Sequence, residues 1–532
     1  GFASCFLWCL LATAASAMLL ATTNQMCREV ASVPFLWILP LSFYLITFII
    51  CFDNPRWYRR AVFVPLLLMC PLVATYIHLG SITLPIPLQV AGYTVILFSC
   101  CMSCHGELAR LKPSANHLTL FYLMVSLGGA LGGCLVVLAA PNLFVRYYEF
   151  DLLLILCCIL GLGVFVHSES KKHLPKTAWF CIPMLTIGCV LLSFNLTYDR
   201  TPGRNERTVH QSRNSYGILH VKEKFDIETN EPISRVLANG RIKHGSQTYD
   251  RETIPASYYS RFSGVGYAIE EARSHQSGPM NFGVIGLGAG AMSPWCENED
   301  TIQYYEIDPQ VVEVAKQYFS FLAMAESRGV DMRIELGDAR IRMEKQLQQH
   351  GSNQFDILAV DAFSSNATPI HLLTKECFQL YLDHLSNNGV LAIHISNRFL
   401  DLAPICKNLA DHFECESQLI KNKELEDPSI GTVSEDSKLL EDMVTASTWV
   451  IVSKNPNLIS SITQNIENER RANQLITHAP SWKSLESSWA SNTKNQIWTD
   501  DFASLQSIVK WDANTFFEEQ FSKAQQWLSA VY

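Results

Sequence analysis

Three acidic residues stand at strand ends, where α/β proteins do their chemistry. Asp361 closes "FDILAVDAF" (355–363), Glu306 lies near the end of "TIQYYEID" (301–308), and Asp338 lies in "MRIELGDAR" (332–340). A carboxylate at such an edge can hold an amine and accept its proton, which is the role expected of Asp361. Upstream, "FGVIGLGAGAMSPW" (282–295) runs from an apolar strand into Gly286, Gly288 and Gly290. Glycines at alternate positions let a ligand lie against bare backbone. Glu306 follows Gly286 by twenty residues, the spacing of an acid that grips a ribose diol. The loop reads G-x-G-x-G, not the G-x-G-x-x-G of dinucleotide binders. Asp338, with Ala339 beside it, is placed to meet an adenine amino group. This set favours the adenosine of S-adenosylmethionine, or of its decarboxylated form, over NAD. Such a donor is a sulfonium and already activated, so no metal is required.

The elements that position these residues follow from patterning. From 281 onward strands alternate with helices: "NFGVIG", the glycine turn, a helix, the strand at 301–308, then "PQVVEVAKQYF" (309–319) opened by Pro309. Further strands are expected at 332–340, 355–363, 389–397 ("GVLAIHISN") and 448–454 ("TWVIVSK"). This alternation predicts a Rossmann-like, parallel, doubly wound sheet of the class I S-adenosylmethionine type over 276–532. Before it, 198–275 reads as a small β-domain and linker helix. "ISRVLANGRIKHGSQ" carries Asn239-Gly240 between alternating runs, a hairpin signal, and 257–273 has helical spacing. "KNKELEDPSIGTVSEDSKLLED" (421–442) is a polar insert.

The first 197 residues differ in kind. They hold ten Lys/Arg and six Asp/Glu, whereas the remainder holds 31 and 44. Seven apolar runs, 4–22, 33–52, 61–78, 86–104, 117–140, 150–167 and 177–196, approach the ~20 residues that cross a bilayer as a helix. A multi-span membrane domain over 1–197 is therefore expected. Small residues in "SLGGALGGCLVV" would let helices approach closely. Cys101-x-x-Cys104-His105 has the spacing of haem attachment, but sits at the end of a span where small residues pack well. Nothing basic in the chain suggests nucleic acid. Thirteen of the seventeen cysteines lie in the apolar part, and the other four lack zinc spacing. Basic loops around Arg59, Arg110 and Lys172 share one face, which the positive-inside rule makes cytoplasmic. An odd number of spans would then put the acidic part opposite, whereas Arg200, Arg204 and Arg207 argue the reverse. The cofactor expected above decides for a cytoplasmic catalytic part.

The motifs "HGSQ" (244–247), "YYSRFSGVG" (258–266), "VIGLGAG" (284–290), "YYEID" (304–308), "GDAR" (337–340) and "VDAF" (360–363) resemble those of spermidine synthase, the polyamine aminopropyltransferases. "TNQMCREVASVPFLWILPLSFYL" (23–45), "CHGELARLKP" (104–113), "HLLTKECFQLYLDHL" (371–385) and "WTDDFASL" (498–505) are similar to its bacterial membrane-fused branch. The resemblance implies Gln247, Glu306 and Asp338 as donor-site residues, Asp361 as proton acceptor, and Tyr258 or Tyr259 as the wall of an amine pocket. It implies an inner-membrane location and, by analogy with soluble relatives, a homodimer. Two residues depart from the family pattern. An aspartate that grips the donor's ammonium is replaced by Ala289, and a second acid beyond the catalytic one by Ser364. The partners expected are thus a small amine, a sulfonium and the membrane. The first functional expectation is aminopropyl transfer from the decarboxylated donor to an amine. The second, following from Ala289 and Ser364, is action on S-adenosylmethionine itself, as a lyase giving methylthioadenosine and homoserine lactone or as an aminocarboxypropyltransferase. The third is a non-enzymatic transporter or sensor of a polyamine or adenosyl ligand.

Overall fold

Apolar runs of spanning length fold as long single helices: α1 (Phe2–Glu29), α2 (Phe35–Asp53), α3 (Arg60–Gly80), α4 (Ile86–Arg110) and α5 (Leu118–Cys134). The computed structural model describes residues between Phe2 and Ile508, omitting chiefly 30–34, 81–83, 170–177, 198–204, 363–368, 423–443 and 486–490. The chain divides into two compact units, one chiefly Gly1–Arg200 and the other chiefly Tyr216–Lys510.

In the first unit, helix α5 runs through a π-helical turn (Leu135–Ala139) into α6 (Ala140–Leu143). Five stretches among the described residues are long and apolar enough to cross a membrane: Phe2–Cys27, Leu36–Asp53, Arg60–His78, Pro87–Arg110 and Ala115–Leu143. The last two apolar runs also form helices, α7 (Glu149–Glu169) and α8 (Ala178–Thr197), although part of their side chains lies outside the described residues. Small residues set the tightest contact. A Cβ on Gly128 would stand 2.4 Å from the carbonyl oxygen of Cys9, and one on Gly132 2.6 Å from that of Thr13. Helices α1 and α5 therefore approach backbone to backbone, while Leu123, Leu127 and Leu131 of α5 point outward. Charges inside this unit are paired, as burial in an apolar bundle demands. Arg60 donates to both carboxylate oxygens of Glu107 (2.7 and 2.6 Å), and His78 meets Asp151 at 3.1 Å. Cys101, Cys104 and His105 are all buried within α4, and His105 Nδ1 contacts Thr47 Oγ1 at 3.0 Å. The haem-like spacing is helix packing.

The second unit holds two sheets. Strands β1 (Glu206–Asn214), β2 (Gly217–Phe225), β3 (Pro232–Asn239) and β4 (Ile242–Thr248) form a four-stranded sheet in that order. Its β3–β4 pairing is antiparallel, and Gly240 takes the positive φ (+59°) that the Asn-Gly turn requires. The larger sheet comprises β5 (Asn281–Ile285), β6 (Thr301–Glu306), β7 (Asp331–Leu336), β8 (Phe355–Val360), β9 (Leu385–His394), β10 (Glu416–Asn422), β11 (Ser447–Ser453) and β12 (Thr477–His478). Its order is β12-β10-β11-β9-β8-β5-β6-β7. Chain direction reverses its march across the sheet at β5, between β6 and β8, so a crevice opens beyond their carboxyl ends. Alternate residues feed two cores. Phe282, Val284, Ile357 and Ala359 face one layer of helices, and Ile285, Leu358 and Val360 the other. Burial on both faces explains the near-continuous apolar strands.

The structure corrects the patterning in five places. The sheet is mixed rather than wholly parallel: β11 pairs antiparallel with both β9 and β10, and β10 with β12. Lys421 and Asn422, read as the start of the insert, close β10, and the rest of the insert lies outside the described residues. No α-helix follows the glycine loop. A 3-10 turn, Ser293–Trp295, takes its place, because Gly290 has φ +82° and Pro294 follows. Strand β7 stops at Leu336, and Asp338 instead caps the helix Ala339–His350. Finally, helix α9 spans only Gly264–Ser274. Ser263 starts it by accepting from Gly266 N, and the residues before it form turns in which Ser257 takes φ +63°.

Candidate active site

The glycine loop is threaded between two backbones. Gly286, Gly288 and Gly290 have φ of +97°, +54° and +82°. A Cβ on Gly286 would fall 2.2 Å from the carbonyl oxygen of Asp361, and one on Gly288 2.5 Å from that of His244. Hydrogen bonds fix the same approach. Asp361 N donates to Ile285 O (2.8 Å), and Ala289 N to His244 O (3.2 Å). The glycines thus bring the end of β8 and the start of β4 onto one loop.

Glu306 ends β6 beside that loop and is buried. Each of its carboxylate oxygens accepts one backbone N–H, from Leu287 and from Asp308, both at 2.9 Å. Burial raises its pKa above the usual carboxylate range, although these backbone donors oppose the shift. One lone pair of each oxygen is engaged, which leaves the other available to a vicinal diol.

Asp361 is held at both oxygens. Tyr259 donates its hydroxyl to Oδ2 (2.7 Å), and His394 Nδ1 lies 2.7 Å from Oδ1. The phenols of Tyr258 and Tyr259 are buried. Burial first, and the Asp361 carboxylate second, push both far above the ordinary tyrosine value, so both remain protonated donors. Trp295 fixes the backbone here by donating Nε1 to Tyr259 O (2.8 Å). His394, at the end of β9, is the residue that patterning missed. The available signal was a histidine closing the apolar strand "GVLAIH", one strand from Asp361 on the same edge. His244 adds a second imidazole. It is buried, burial depresses its pKa, and its Nε2 has no hydrogen-bond partner among the described residues.

A cavity of about 200 Å³ joins these groups. Tyr258, Gly286, Gly288, Glu306, Asp338, Ala339 and Asp361 line it, together with His244 and Asp308. Tyr259 reaches it through Asp361. Gly290 turns away against Leu322. Gln247 is not among the lining residues: its amide is committed to Ser320, whose Oγ it meets at 2.7 Å and whose N–H it accepts at 3.0 Å. Asp338 accepts from Ile341 N as a helix cap (3.0 Å) and from His371 Nε2 at 3.0 Å. Ala289 is fully buried and brings no polar side chain. Asp500, a conceivable substitute for a missing acid, is held by Arg340 through two bonds of 2.7 and 2.6 Å. That pair holds its carboxyl low, at about 2. Ser364 lies outside the described residues. A larger cavity of about 860 Å³ is lined by Arg261, Trp295, Cys296 and Arg328 among others. Its described lining includes neither the glycine loop nor a strand-end acid, so the smaller cavity is the candidate site. Among the described residues no group of three or more His, Cys, Asp or Glu could hold a metal ion.

No family model matches the chain. Over 124 residues, 23% of the chain, it is 30% identical to a polyamine aminopropyltransferase of Vibrio vulnificus (strain CMCP6). Over that stretch the chain is similar in sequence to the spermidine synthase-like aminopropyltransferases. The match spans only 38% of that relative's length. Two solved structures are also similar. One is a probable spermidine synthase from Corynebacterium glutamicum ATCC 13032 (14% identity, 57% of this chain and 99% of that one, TM-score 0.37). The other is the spermidine synthase from Thermotoga maritima (17% identity, 49% and 78%, TM-score 0.33). At these scores the homology rests on the sequence match.

Proposed function

We propose that this homologue is an aminopropyltransferase that cleaves an adenosyl sulfonium, the decarboxylated form of S-adenosylmethionine, and releases methylthioadenosine. The observation that carries the reading is that Glu306 and Asp361 face one cavity at the switch point of the sheet. In this reading the two free lone pairs of Glu306 accept the ribose hydroxyls, Asp338 and Ala339 border the adenine, and the glycine loop lies along the sugar and sulfur. An amine nitrogen attacks the methylene carbon beside sulfur. The new C–N bond forms as the C–S bond breaks, the electron pair leaves with neutral methylthioadenosine, and the nitrogen's surplus proton goes to Asp361. Much of the catalysis is alignment, since the leaving group is already activated. The cavity's charge supports a cationic donor and acceptor. Glu306, Asp308, Asp338 and Asp361 line it, and among the described residues no Lys or Arg does.

One observation favours a second reading. Ala289 is buried in the glycine loop where a carboxylate would repel a donor that keeps its own carboxylate. On that ground intact S-adenosylmethionine is the alternative donor, in a lyase or an aminocarboxypropyltransferase. The purified chain, given each donor with and without putrescine, separates the two. Release of methylthioadenosine from the decarboxylated donor only when amine is present supports the transferase. Release from S-adenosylmethionine without amine supports the lyase and overturns the first reading. Binding of the nucleoside with no release from either donor supports a sensor or carrier. The five apolar helices support attachment to a membrane; a cytoplasmic catalytic part is proposed from the expected donor, against the charge rule.

A further inference from the structure

His394 joins Asp361 to the backbone through a chain of hydrogen bonds. Nδ1 lies 2.7 Å from Asp361 Oδ1. An ionised carboxylate only accepts, so the nitrogen that faces it donates. On the other side of the ring, Ser396 Oγ lies 2.8 Å from Nε2 and accepts from Thr448 N at 2.8 Å. The ring cannot swing out of this line. It is buried and stacked between Tyr258 (centroids 4.9 Å apart, planes at 19°) and Trp449 (4.7 Å, 21°). Ser396 follows the end of β9, and Trp449 lies on β11, the antiparallel neighbour whose register sets His394 opposite Trp449.

We propose that His394 is a positioning residue, donating from Nδ1 and held at Nε2 by Ser396, that aims the carboxylate of Asp361 at the attacking amine. The role rests on the transferase reading above. With Tyr259 on one oxygen and His394 on the other, the carboxylate plane is fixed by two donors from different elements. Tyr258, whose hydroxyl also bonds this carboxylate, closes a third side. Asp361 takes the substrate's proton itself.

The test exploits two amides. The amide nitrogen of asparagine superposes on Nδ1 of histidine, and that of glutamine on Nε2. The full chain in detergent would be assayed for methylthioadenosine release as wild type, His394→Asn, His394→Gln, His394→Leu, Ser396→Ala and Asp361→Asn. Binding of methylthioadenosine would be measured on each. His394→Leu and His394→Gln are expected to lower kcat about 100-fold, the scale of misplacing a reacting group by about 1 Å. His394→Asn should restore most of it, with nucleoside affinity unchanged throughout. Rescue by glutamine and not asparagine, or a fully active His394→Leu, overturns the proposal. Chain labelled with ¹⁵N-histidine gives a readout independent of turnover. The His394 resonance, assigned by its loss in His394→Asn, should report Nδ1–H in wild type and a changed tautomer ratio in Ser396→Ala. A ring with no proton on Nδ1 in wild type overturns the proposal. A wild type inert to both donors, or a fully active Asp361→Asn, overturns the transferase reading instead.

Discussion

Replacing Glu306 by glutamine tests the donor site directly. Each carboxylate oxygen of Glu306 accepts a backbone N–H at 2.9 Å, from Leu287 and Asp308. Glutamine keeps one acceptor and turns an amide NH₂ toward the other N–H. A donor left facing a donor costs about 1–3 kcal/mol of stability. The neutral amide escapes the desolvation that raises the pKa of Glu306, which offsets part of this, so the melting temperature should fall only slightly. Nucleoside binding has no such offset. A hydrogen bond from a ribose hydroxyl to a charged acceptor contributes about 1.5–3 kcal/mol, and losing one weakens binding by roughly 10- to 150-fold. Calorimetric titration of methylthioadenosine into wild type and Glu306→Gln measures this. The pH dependence adds a second check. The folded pKa of Glu306 is raised above the unfolded one, so the folded state holds more protons between the two. Its contribution to stability therefore falls as pH rises through the folded pKa, and acid favours the fold at this group. Binding runs the opposite way, because the diol needs the ionised carboxylate. Wild-type affinity should drop on acidification before an ordinary glutamate would titrate, and the variant should lack that drop. Equal affinity of the two proteins at neutral pH would refute the assignment of Glu306 to the ribose.

The other expectations are independent of that one. Gly286→Ala puts a Cβ 2.2 Å from the Asp361 carbonyl oxygen at φ +97°, so it should destabilise by about 2–4 kcal/mol, read as an earlier denaturation midpoint. Asp361→Asn should abolish methylthioadenosine release while leaving nucleoside binding intact, and retained turnover would remove the carboxylate from the reaction. Asp300 is fully buried and accepts from Met280 N (2.6 Å), Glu297 N (2.7 Å) and both Arg273 NH groups. Asp300→Ala leaves two buried backbone N–H groups unpaired and removes the nearest carboxylate from Arg273, so it should cost about 3–5 kcal/mol by denaturant unfolding. Gly132→Val, whose Cβ would stand 2.6 Å from the Thr13 carbonyl oxygen, should force α1 and α5 apart and lower the yield of folded protein in detergent.

Much of the site was legible because it rests on local rules. Alternating glycines need positive φ, and all three have it. Glu306 and Asp361 close apolar strands, and strand ends define the crevice wherever the order reverses. What escaped depends on contacts distant in the chain. His394 reads as one more residue of an apolar strand until β9 pairs beside β8 and the side chain meets Asp361. The antiparallel arm escaped because β10 and β11 flank a polar stretch, and period-2 alternation does not encode strand direction. Asp338 was assigned to a strand because β-rich residues precede it, yet a Gly-Asp pair before "ARIRMEKQL" is equally a helix start. Gln247 illustrates the converse. Its place in a motif says nothing of the Ser320 backbone and hydroxyl that occupy its amide.

The close meeting of α1 with α5 constrains how this protein is made. Ribosomes deliver the first helix long before the fifth, so in a membrane-inserted chain α1 would enter the bilayer with its small-residue face (Cys9, Ala12, Thr13, Ser16) still uncovered. Three further spans must insert before Gly128 and Gly132 arrive to cover it. Assembly is thus a late closure rather than a succession of neighbouring hairpins, and a nascent chain halted before Leu118 displays an orphaned helix surface to membrane proteases and insertases.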